Sequence, residues 1–248
     1  MREPETLAVI PARIGSKRFP GKVLYPYKGK PLLYYVWNQM KRARHISRLV
    51  IATDSAQIAE TARDFGAEIF RTSPKHQTGS DRAAEVARSL GGEIIVNVQA
   101  DNFGLTSKIV DNVLSRMFRE DEICFATLVR KIESDRDLFN PNCVKVALNK
   151  NGEAMWFSRS PIPFIQGVTT QSKVRQFPFW SHVGVYFFRH QSLMAYAARP
   201  RTALEKAESL EQLRILEYGE RIRAFPTSVR TVSVDSPNDV RKIGVLYR

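Results

Sequence analysis

Apolar runs of strand length alternate with segments of helical period over the first hundred residues. The apolar runs predict buried strands at 6–12, 49–54, 68–72 and 93–99. Between them, apolar residues recur every three or four positions and predict helices at 32–43, 55–65 and 81–90. Strands and helices that alternate at this spacing are typical of βαβ units, and predict an α/β fold with a doubly wound, mostly parallel sheet.

After residue 105 the pattern predicts more strands and fewer helices. The strands are expected at 123–130, 142–149, 153–158, 180–189, 222–227 and 231–234, with Asn151-Gly152 as a tight hairpin turn. The helices are expected at 108–118, 191–198, 204–218 (ended by Gly219) and after Asp235, which would cap the last one. The polar segment 167–176 is predicted to be a loop. We expect one domain over 1–248, with a smaller β-rich insertion at about 125–190.

A basic loop follows the first predicted strand. It contains two glycines, Ser16 and four cations, which are Arg13, Lys17, Arg18 and Lys22. Glycines let the backbone approach a ligand closely, and several cations together can neutralise a polyphosphate. The spacing differs from the G-x-x-x-x-G-K-[ST] of P-loop proteins. The loop is therefore either a nucleoside-triphosphate loop of another kind or a plain basic surface loop.

Two acidic residues follow other predicted strands. Asp54 ends the second strand, and Asp101 comes directly after the strand at 93–99. Ligands of parallel α/β sheets bind outside the carboxyl ends of the strands. The basic loop and both acids are therefore expected at one edge of the sheet.

Composition narrows the class of protein. The net charge of +13 keeps nucleic-acid binding open as a minor alternative, but the cations are scattered, and the chain has neither an RNP pattern nor a Cys/His finger. Diffuse positive charge also suits an enzyme with anionic substrates. Cys124 and Cys143 have no metal-ligand spacing with the histidines. The chain has neither an apolar run of the ~20 residues that a membrane span needs nor a signal h-region, which predicts a cytoplasmic protein.

Ten motifs follow one another along the chain. They are Pro11-Ala12-Arg13-x-x-Ser16-x-Arg18-x-Pro20-Gly21-Lys22, Gly29-Lys30-Pro31-Leu32, Ala52-Thr53-Asp54, His76-x-x-Gly79-Ser80-Asp81-Arg82, Asn97-Val98-Gln99-x-Asp101, Phe139-Asn140-Pro141-Asn142-x-Val144-Lys145-Val146, Phe157-Ser158-Arg159-x-x-Ile162-Pro163, His182-x-Gly184-x-Tyr186, Leu210-Glu211-Gln212-Leu213-Arg214 and Asp235-Ser236-Pro237-Asn238-Asp239. From about residue 7 to residue 242, they resemble the sugar-acid cytidylyltransferases, and together the CMP-Kdo synthetase (3-deoxy-manno-octulosonate cytidylyltransferase) family.

The resemblance implies a nucleotide-diphospho-sugar-transferase-like fold and a reaction. CTP and a Kdo-type sugar acid would give CMP-sugar and pyrophosphate for lipopolysaccharide synthesis. Mg²⁺ is the implied cofactor, because it prefers carboxylate and phosphate oxygens. The resemblance also implies a homodimer, with its contact expected at 145–190, and no nucleic-acid partner. A CMP-sialic-acid-type or other sugar nucleotidyltransferase, or a non-catalytic nucleotide-binding relative, remains the alternative.

The resemblance also assigns roles to residues at matching motif positions. The catalytic residues would be Arg13, Lys22 and Asp101. The nucleotide would be bound by Ala12, Arg13, Ser16, Lys22, His76, Gly79, Ser80, Arg82 and Gln99. The sugar would be bound by Gln99, Arg159, His182, Tyr186, Glu211 and Gln212, and the metal by Asp101 and Asp235. Each of these residues, considered alone, could instead have a purely structural role. For example, Asp101 could be a turn residue and Asp235 could cap a helix.

One motif departs from the family pattern. The family's Gln-Gly-Asp-Glu-Pro is here Gln99-Ala100-Asp101-Asn102-Phe103. Alanine is tolerated in place of glycine only where φ is negative. The loss of a carboxylate beside the metal position indicates a modified acceptor such as 8-amino-Kdo, a slower enzyme or a silent relative. We favour the modified acceptor, because both expected metal aspartates and the phosphate cations remain.

Overall fold

The first hundred residues form the parallel half of a central sheet, together with the helices that cover it. The computed structural model describes residues 2–15, 19–167, 173–234, 239–244 and 246. The elements of this half are β1 (Thr6–Pro11), a 3-10 turn (Lys22–Leu24), β2 (Pro26–Tyr27), β3 (Lys30–Pro31), α1 (Leu32–Met40), β4 (Arg48–Thr53), α2 (Ala56–Arg63), β5 (Glu68–Arg71), α3 (Gly79–Leu90) and β6 (Ile94–Val98).

The rest of the chain adds strands to the same sheet. Its elements are β7 (Asn102–Phe103), α4 (Ser107–Met117), β8 (Phe125–Lys131), α5 (Asp135–Phe139), β9 (Lys145–Leu148), β10 (Ala154–Ser158), α6 (Lys173–Gln176), β11 (Trp180–Arg189), α7 (His190–Ala198), α8 (Ala203–Glu208), α9 (Leu213–Glu217), β12 (Arg223–Pro226), β13 (Val232–Ser233) and α10 (Val240–Ile243). None of the helices in the described part of the chain is long and apolar enough to cross a membrane.

The sheet is mixed, with a parallel core. Its main path runs β10-β9-β11-β6-β1-β4-β5, and β8 and β12 join it through β11. The strands β6, β1, β4 and β5 are parallel to one another, whereas β11 is antiparallel to β6. The predicted α/β class and mostly parallel sheet are confirmed. The strands of the expected insertion at 125–190 extend this same sheet.

Burial on both faces explains why the parallel strands have continuous apolar runs. Along β1, Ala8 and Ile10 pack into one hydrophobic cluster, and Leu7 and Val9 pack into another. Successive side chains of a strand point to opposite faces, so both faces of β1 are covered. The first cluster includes buried residues of α1 and α4, and the second includes those of α3. This three-layer arrangement leaves the carboxyl ends of the strands free to carry loops.

The prediction of one helix over 204–218 is wrong. The structure has two short helices, α8 and α9, because Ser209 adopts a left-handed conformation (φ 52°) and ends the first. A buried ion pair between Arg214 Nε and Glu205 Oε2 (2.7 Å) ties the two helices together. Residues 209–212 therefore form a turn between α8 and α9. The predicted end of the second helix at Gly219 is confirmed, since its φ is 78°.

Two other local predictions have mixed outcomes. The segment 167–176, predicted to be a loop, contains the one-turn helix α6, and its residues 168–172 lie outside the described residues. A helix does form near the C-terminus, at Val240–Ile243. The expected cap of that helix, Asp235, lies outside the described residues.

Candidate active site

A cleft of about 490 Å³ opens at the carboxyl edge of the parallel strands. Arg13 reaches it from the loop after β1, and Gln99 reaches it from the end of β6. Further lining comes from the start of α3, from β11 and from the turn between α8 and α9. These residues are Gln77, Thr78, Gly79, His182, Gly184, Tyr186, Ser209, Leu210, Glu211 and Gln212. The strand edge predicted for ligand binding is therefore the edge that carries the cleft.

A smaller recess of about 40 Å³ shares part of this lining. Arg13, Thr78, Gly79 and Gln99 border both spaces, whereas His76 borders the recess and not the cleft. Ala12 and Arg82 also line the recess. Six of the nine residues assigned to the nucleotide therefore line the recess, whereas Lys22 and Ser80 do not, and Gln99 borders both spaces.

Lys22 and Asp101 lie together, and Asp101 comes shortly after the end of β6 at Val98. The ammonium group of Lys22 forms an ion pair with the carboxylate of Asp101 and donates to the Val234 carbonyl oxygen (3.2 Å between Nζ and O). Gly21 has φ 68° and donates its N–H to Ile14 O (3.0 Å), which closes the loop that carries Lys22. A predicted phosphate ligand and a predicted metal ligand are thus neighbours. Ser16 and Asp235 lie outside the described residues.

Two charged contacts hold the recess wall. His76 Nε2 hydrogen-bonds to the carboxylate of Glu85, which also accepts from the Ser73 N–H (3.0 Å). Burial works against the charge of Glu85, but His76 and the Ser73 N–H outweigh it and hold the pKa of this carboxyl below its ordinary value. Arg82 is buried, and its Nη2 lies 3.0 Å from Asp54 Oδ1. This pair ties α3 to the end of β4.

Glu211 and two glycines fix the position of Gln99. Gln99 Nε2 donates to Glu211 Oε1 (3.3 Å), and the Ser80 N–H donates to Glu211 Oε2 (3.1 Å). A Cβ on Gly79 would lie 2.9 Å from Gln99 Nε2, and one on Gly184 would lie 3.4 Å from Gln99 Cγ. Burial raises the pKa of Glu211, although the Ser80 N–H favours its charged form. Glycine at position 79 is therefore needed for the close approach of the Gln99 amide.

Tyr186 and Gln212 form a buried pair at the other end of the cleft. The Tyr186 hydroxyl donates to Gln212 Oε1 (2.9 Å). Gln212 is only 2% exposed, and its Nε2 has no hydrogen-bond partner among the described residues. A buried donor without a partner costs free energy unless a ligand or water accepts from it. This amide is therefore suited to donate to a polar ligand in the cleft.

His182 is a neutral acceptor in the same region. Its Nε2 lies 2.9 Å from Thr127 Oγ1, and that hydroxyl donates its single proton to Val185 O (2.7 Å). His182 Nε2 must then be the donor to Thr127, which leaves Nδ1 with a lone pair. Burial lowers the pKa of His182 to about 3, so the ring is uncharged near neutral pH.

Comparison with known proteins agrees with this geometry. A model of the cytidylyltransferase family matches residues 7–222. The chain is 43% identical to the 3-deoxy-manno-octulosonate cytidylyltransferase of Geobacter sulfurreducens, over 95% of this chain and 96% of the relative. It is 41% identical to the enzyme of that name from Trichlorobacter lovleyi, over 96% of each chain. The chain belongs to the 3-deoxy-manno-octulosonate cytidylyltransferase family.

Solved structures agree with this family membership. A CMP:2-keto-3-deoxy-manno-octonic acid synthetase, solved in complex with CTP, superposes with a TM-score of 0.88 at 33% identity and covers 98% of both chains. A putative glucose-1-phosphate thymidylyltransferase from Bacillus anthracis shares the fold alone, with a TM-score of 0.67 at 13% identity. The nucleotide-diphospho-sugar-transferase-like fold is confirmed.

One residue that the family resemblance assigns to the sugar lies behind the cleft wall. The Arg159 guanidinium donates to three main-chain carbonyl oxygens, those of Glu208 (2.7 Å), Pro141 (3.0 Å) and Ser209 (3.4 Å). Within the described part of the chain, the cleft lining includes Ser209 but does not include Arg159. Arg159 therefore supports the turn after α8, and its role as a sugar ligand stays a prediction.

The family pattern did not identify Arg201 and Glu205, which also line the cleft. Arg201 Nε donates to Glu205 Oε1 (2.9 Å), and Glu205 is fully buried. Hydrogen bonds from Arg214 and Arg201 hold the pKa of Glu205 below its ordinary value, although burial opposes them. Arg214 belongs to the motif Leu210–Arg214, but Arg201 belongs to none of the ten motifs. Gly184 lies within the His182 motif, so the sequence could have identified it as a cleft residue.

The structure accommodates the departures from the family pattern. Ala100 is buried in the hydrophobic core and is not one of the non-glycine residues with positive φ, which in the described part of the chain are Lys28 and Ser209. Its methyl group is therefore tolerated, as expected for an ordinary φ. Asn102 is buried and pairs with Ser233 in the antiparallel β7–β13 ribbon. A neutral amide costs less to bury at this position than a carboxylate.

Proposed function

We propose that this protein transfers CMP from CTP to a Kdo-type sugar acid and releases pyrophosphate. The observation that supports this proposal is a single cleft whose two ends have different side chains. Arg13 lines the recess end, and Asp101, paired with Lys22, comes two positions after Gln99, which also lines it; these cations suit a triphosphate. The other end has Tyr186 and the unpartnered Gln212 amide, as a polyol needs.

The cations at the recess end are proposed to bind and neutralise the triphosphate. Arg13 lines both spaces and can reach a phosphate group from either. Lys22 pairs with Asp101 and is proposed to contact a phosphate oxygen of the nucleotide as well. Transfer at phosphorus depends mainly on positioning and charge neutralisation, which these two side chains supply.

Asp101 is proposed to hold Mg²⁺, with Asp235 as a second ligand. Among the described residues, no three His, Cys, Asp or Glu side chains are grouped to hold a metal. Mg²⁺ is commonly held by one or two carboxylates together with phosphate oxygens and water, so Asp101 and Asp235 would suffice as protein ligands. When bound, Mg²⁺ would neutralise triphosphate charge and favour loss of the sugar hydroxyl proton.

The sugar end is proposed to orient the attacking hydroxyl. The hydroxyl oxygen forms a bond to the α-phosphorus, and the bond from that phosphorus to pyrophosphate breaks. His182 Nδ1 can accept a hydrogen bond from the sugar, and Gln212 Nε2 can donate one. Gln99 lies between the two ends and would contact both substrates.

The acceptor, assembly and location are finer proposals. We retain a modified acceptor such as 8-amino-Kdo, because Asn102 replaces the family's carboxylate.

We propose a homodimer through the region 145–190, where Phe164 is 82% exposed and Met155 is 62% exposed. An exposed apolar surface of this kind is typical of an interface. A cytoplasmic location is proposed because CTP is made there.

The test is release of pyrophosphate from CTP and Mg²⁺ with Kdo, 8-amino-Kdo or sialic acid as the acceptor. Release with Kdo or 8-amino-Kdo is expected, and ³¹P NMR should show a phosphodiester product. Release with sialic acid alone would support the alternative nucleotidyltransferase. No release with any acceptor, in a protein that binds CTP, would contradict the enzyme proposal. The variant Asn102→Glu then shows whether the departure sets the preference between Kdo and its 8-amino form.

A further inference from the structure

The proposed acceptor carries a carboxylate, which needs a cationic partner in a partly buried site. Removing a carboxylate from water is costly unless a positive group and hydrogen bonds compensate. Arginine suits this task, because its planar fork of N–H groups matches the two oxygens of a carboxylate. This inference rests on the proposed function and concerns which arginine binds the carboxylate of the sugar acid.

Among the described residues that line the cleft, the two arginines are Arg13 and Arg201. Arg13 also borders the recess, where the nucleotide is expected, and it follows β1 on the basic loop. Arg201 does not border the recess and lies just before α8, beside Glu205. Arg201 is therefore the cleft arginine that a bound triphosphate leaves available.

The contacts of Arg201 fix its stem and leave its fork free. Its Nε donates to Glu205 Oε1 (2.9 Å), and within the described part of the chain no hydrogen bond is formed by Nη1 or Nη2. Arg214 in turn holds the Glu205 carboxylate in place through two hydrogen bonds, Nε–Oε2 (2.7 Å) and Nη2–Oε1 (2.8 Å). Glu205 is therefore a fixed acceptor for Arg201 Nε. A guanidinium anchored in this way loses little further freedom when it binds a carboxylate.

Arg159 cannot easily serve the same purpose. Three of its nitrogens donate to main-chain oxygens, so meeting a substrate would leave those carbonyls without their partner. We propose that Arg201 pairs with the carboxylate of the sugar acid through its two terminal nitrogens. Arg159 is then a positioning residue that holds the 208–209 main chain.

The experiment compares Arg201→Gln with Arg199→Gln as the matched control. The two arginines are two positions apart and similarly exposed, at 33% and 30%, but Arg199 pairs with Glu220 and does not line the cleft. Losing a charge-assisted pair is expected to raise the KM for the sugar acid by roughly 10- to 100-fold. The KM for CTP should stay within about twofold, and Arg199→Gln should resemble the wild type.

A second arm separates direct pairing from a structural effect. The wild type should prefer the sugar acid to its C1 carboxamide by at least about tenfold, and Arg201→Gln should lose this preference. Arg201→Lys should recover part of it. Equal losses for the acid and the amide, or no change in either, would overturn the inference while wild-type turnover upholds the proposed function. A wild type without turnover of any sugar acid would overturn the proposed function, and this inference with it.

Discussion

The two ends of the cleft are built differently. Beside the proposed nucleotide end, Lys22 and Asp101 form an ion pair whose side chains are 14% and 31% exposed. At the proposed sugar end, the Tyr186–Gln212 hydrogen bond joins two buried side chains. The first pair consists of charges within reach of solvent, whereas the second is a neutral pair shielded from solvent.

The sheet explains this difference. Lys22 and Asp101 lie on segments that follow the parallel strands β1 and β6, which end at Pro11 and Val98. His182 and Tyr186 lie within the antiparallel strand β11, which has paired neighbours on both sides. Side chains inside a paired strand have less freedom than side chains on a loop. The fold therefore places the Lys22–Asp101 pair on two loops, whereas the Tyr186–Gln212 pair has one member within a paired strand and the other on the turn after α8.

The largest effect is expected from Asp101→Ala. Turnover should fall about a thousandfold or more, because this carboxylate pairs with Lys22 and is the proposed ligand of Mg²⁺. The loss of a partly exposed ion pair should change the free energy of unfolding by no more than about 1 kcal/mol. Pyrophosphate release and thermal melting measure the two effects. Asp121→Ala, at a carboxylate that is 95% exposed and pairs with Arg189, is the control; equal turnover in both variants would contradict the assignment.

A smaller effect is expected from Gly79→Ala, which perturbs the residue that joins the two ends. Its Cβ would lie 2.9 Å from Gln99 Nε2, so the flexible amide must move while the fold is retained. We expect kcat to fall roughly 10- to 100-fold, since small misplacements of a contact group cost about this much. Gly184→Ala is the matched comparison, because its Cβ would meet only Gln99 Cγ, at 3.4 Å. A larger loss in Gly184→Ala than in Gly79→Ala would show that the account of Gln99 is wrong.

The next effect concerns acid sensitivity at the sugar end. Folding lowers the pKa of His182 to about 3, so protons bind preferentially to the unfolded chain. The contribution of His182 is fully present above its unfolded pKa and is lost as the pH falls below 6.5 toward 3. Between pH 7.5 and 5.5 this loss amounts to about 1.4 kcal/mol. Chemical denaturation at both pH values should therefore show a smaller decrease for His182→Gln than for the wild type. Equal decreases would mean that His182 titrates normally in the folded protein.

The structure was predicted correctly from the sequence where it depends on the local pattern of residues. The continuous apolar runs at β1 and β6 predicted strands buried on both faces, and the residues after them met at one edge as expected. A helix was predicted to begin at residue 55, and Ser55 caps α2 through its Oγ, which accepts the Ile58 N–H (3.3 Å). Such features depend on neighbours in sequence, so they can be read without the fold.

Features that depend on distant contacts could not be predicted. Leu204, Ala207, Leu210 and Leu213 recur at every third position across the break at Ser209, so the spacing of apolar residues gave no sign of the break. The role of Arg201 depends on Glu205, whose position depends in turn on Arg214 in the next helix. The hydrogen bonds from the Arg159 guanidinium to main-chain oxygens likewise could not be predicted from the sequence. The unpredicted part of the site therefore lies mainly at its sugar end.

The most direct test of the two-ended cleft is CTP binding by calorimetry to the wild type, Lys22→Met and Tyr186→Phe. Lys22→Met should weaken CTP binding by roughly tenfold or more, because a charge-assisted contact to phosphate is lost. Tyr186→Phe should bind CTP within about twofold of the wild type, since it removes only the hydrogen bond to Gln212 at the other end. Equal weakening in both variants, or weakening in Tyr186→Phe alone, would contradict the division of the cleft between nucleotide and sugar.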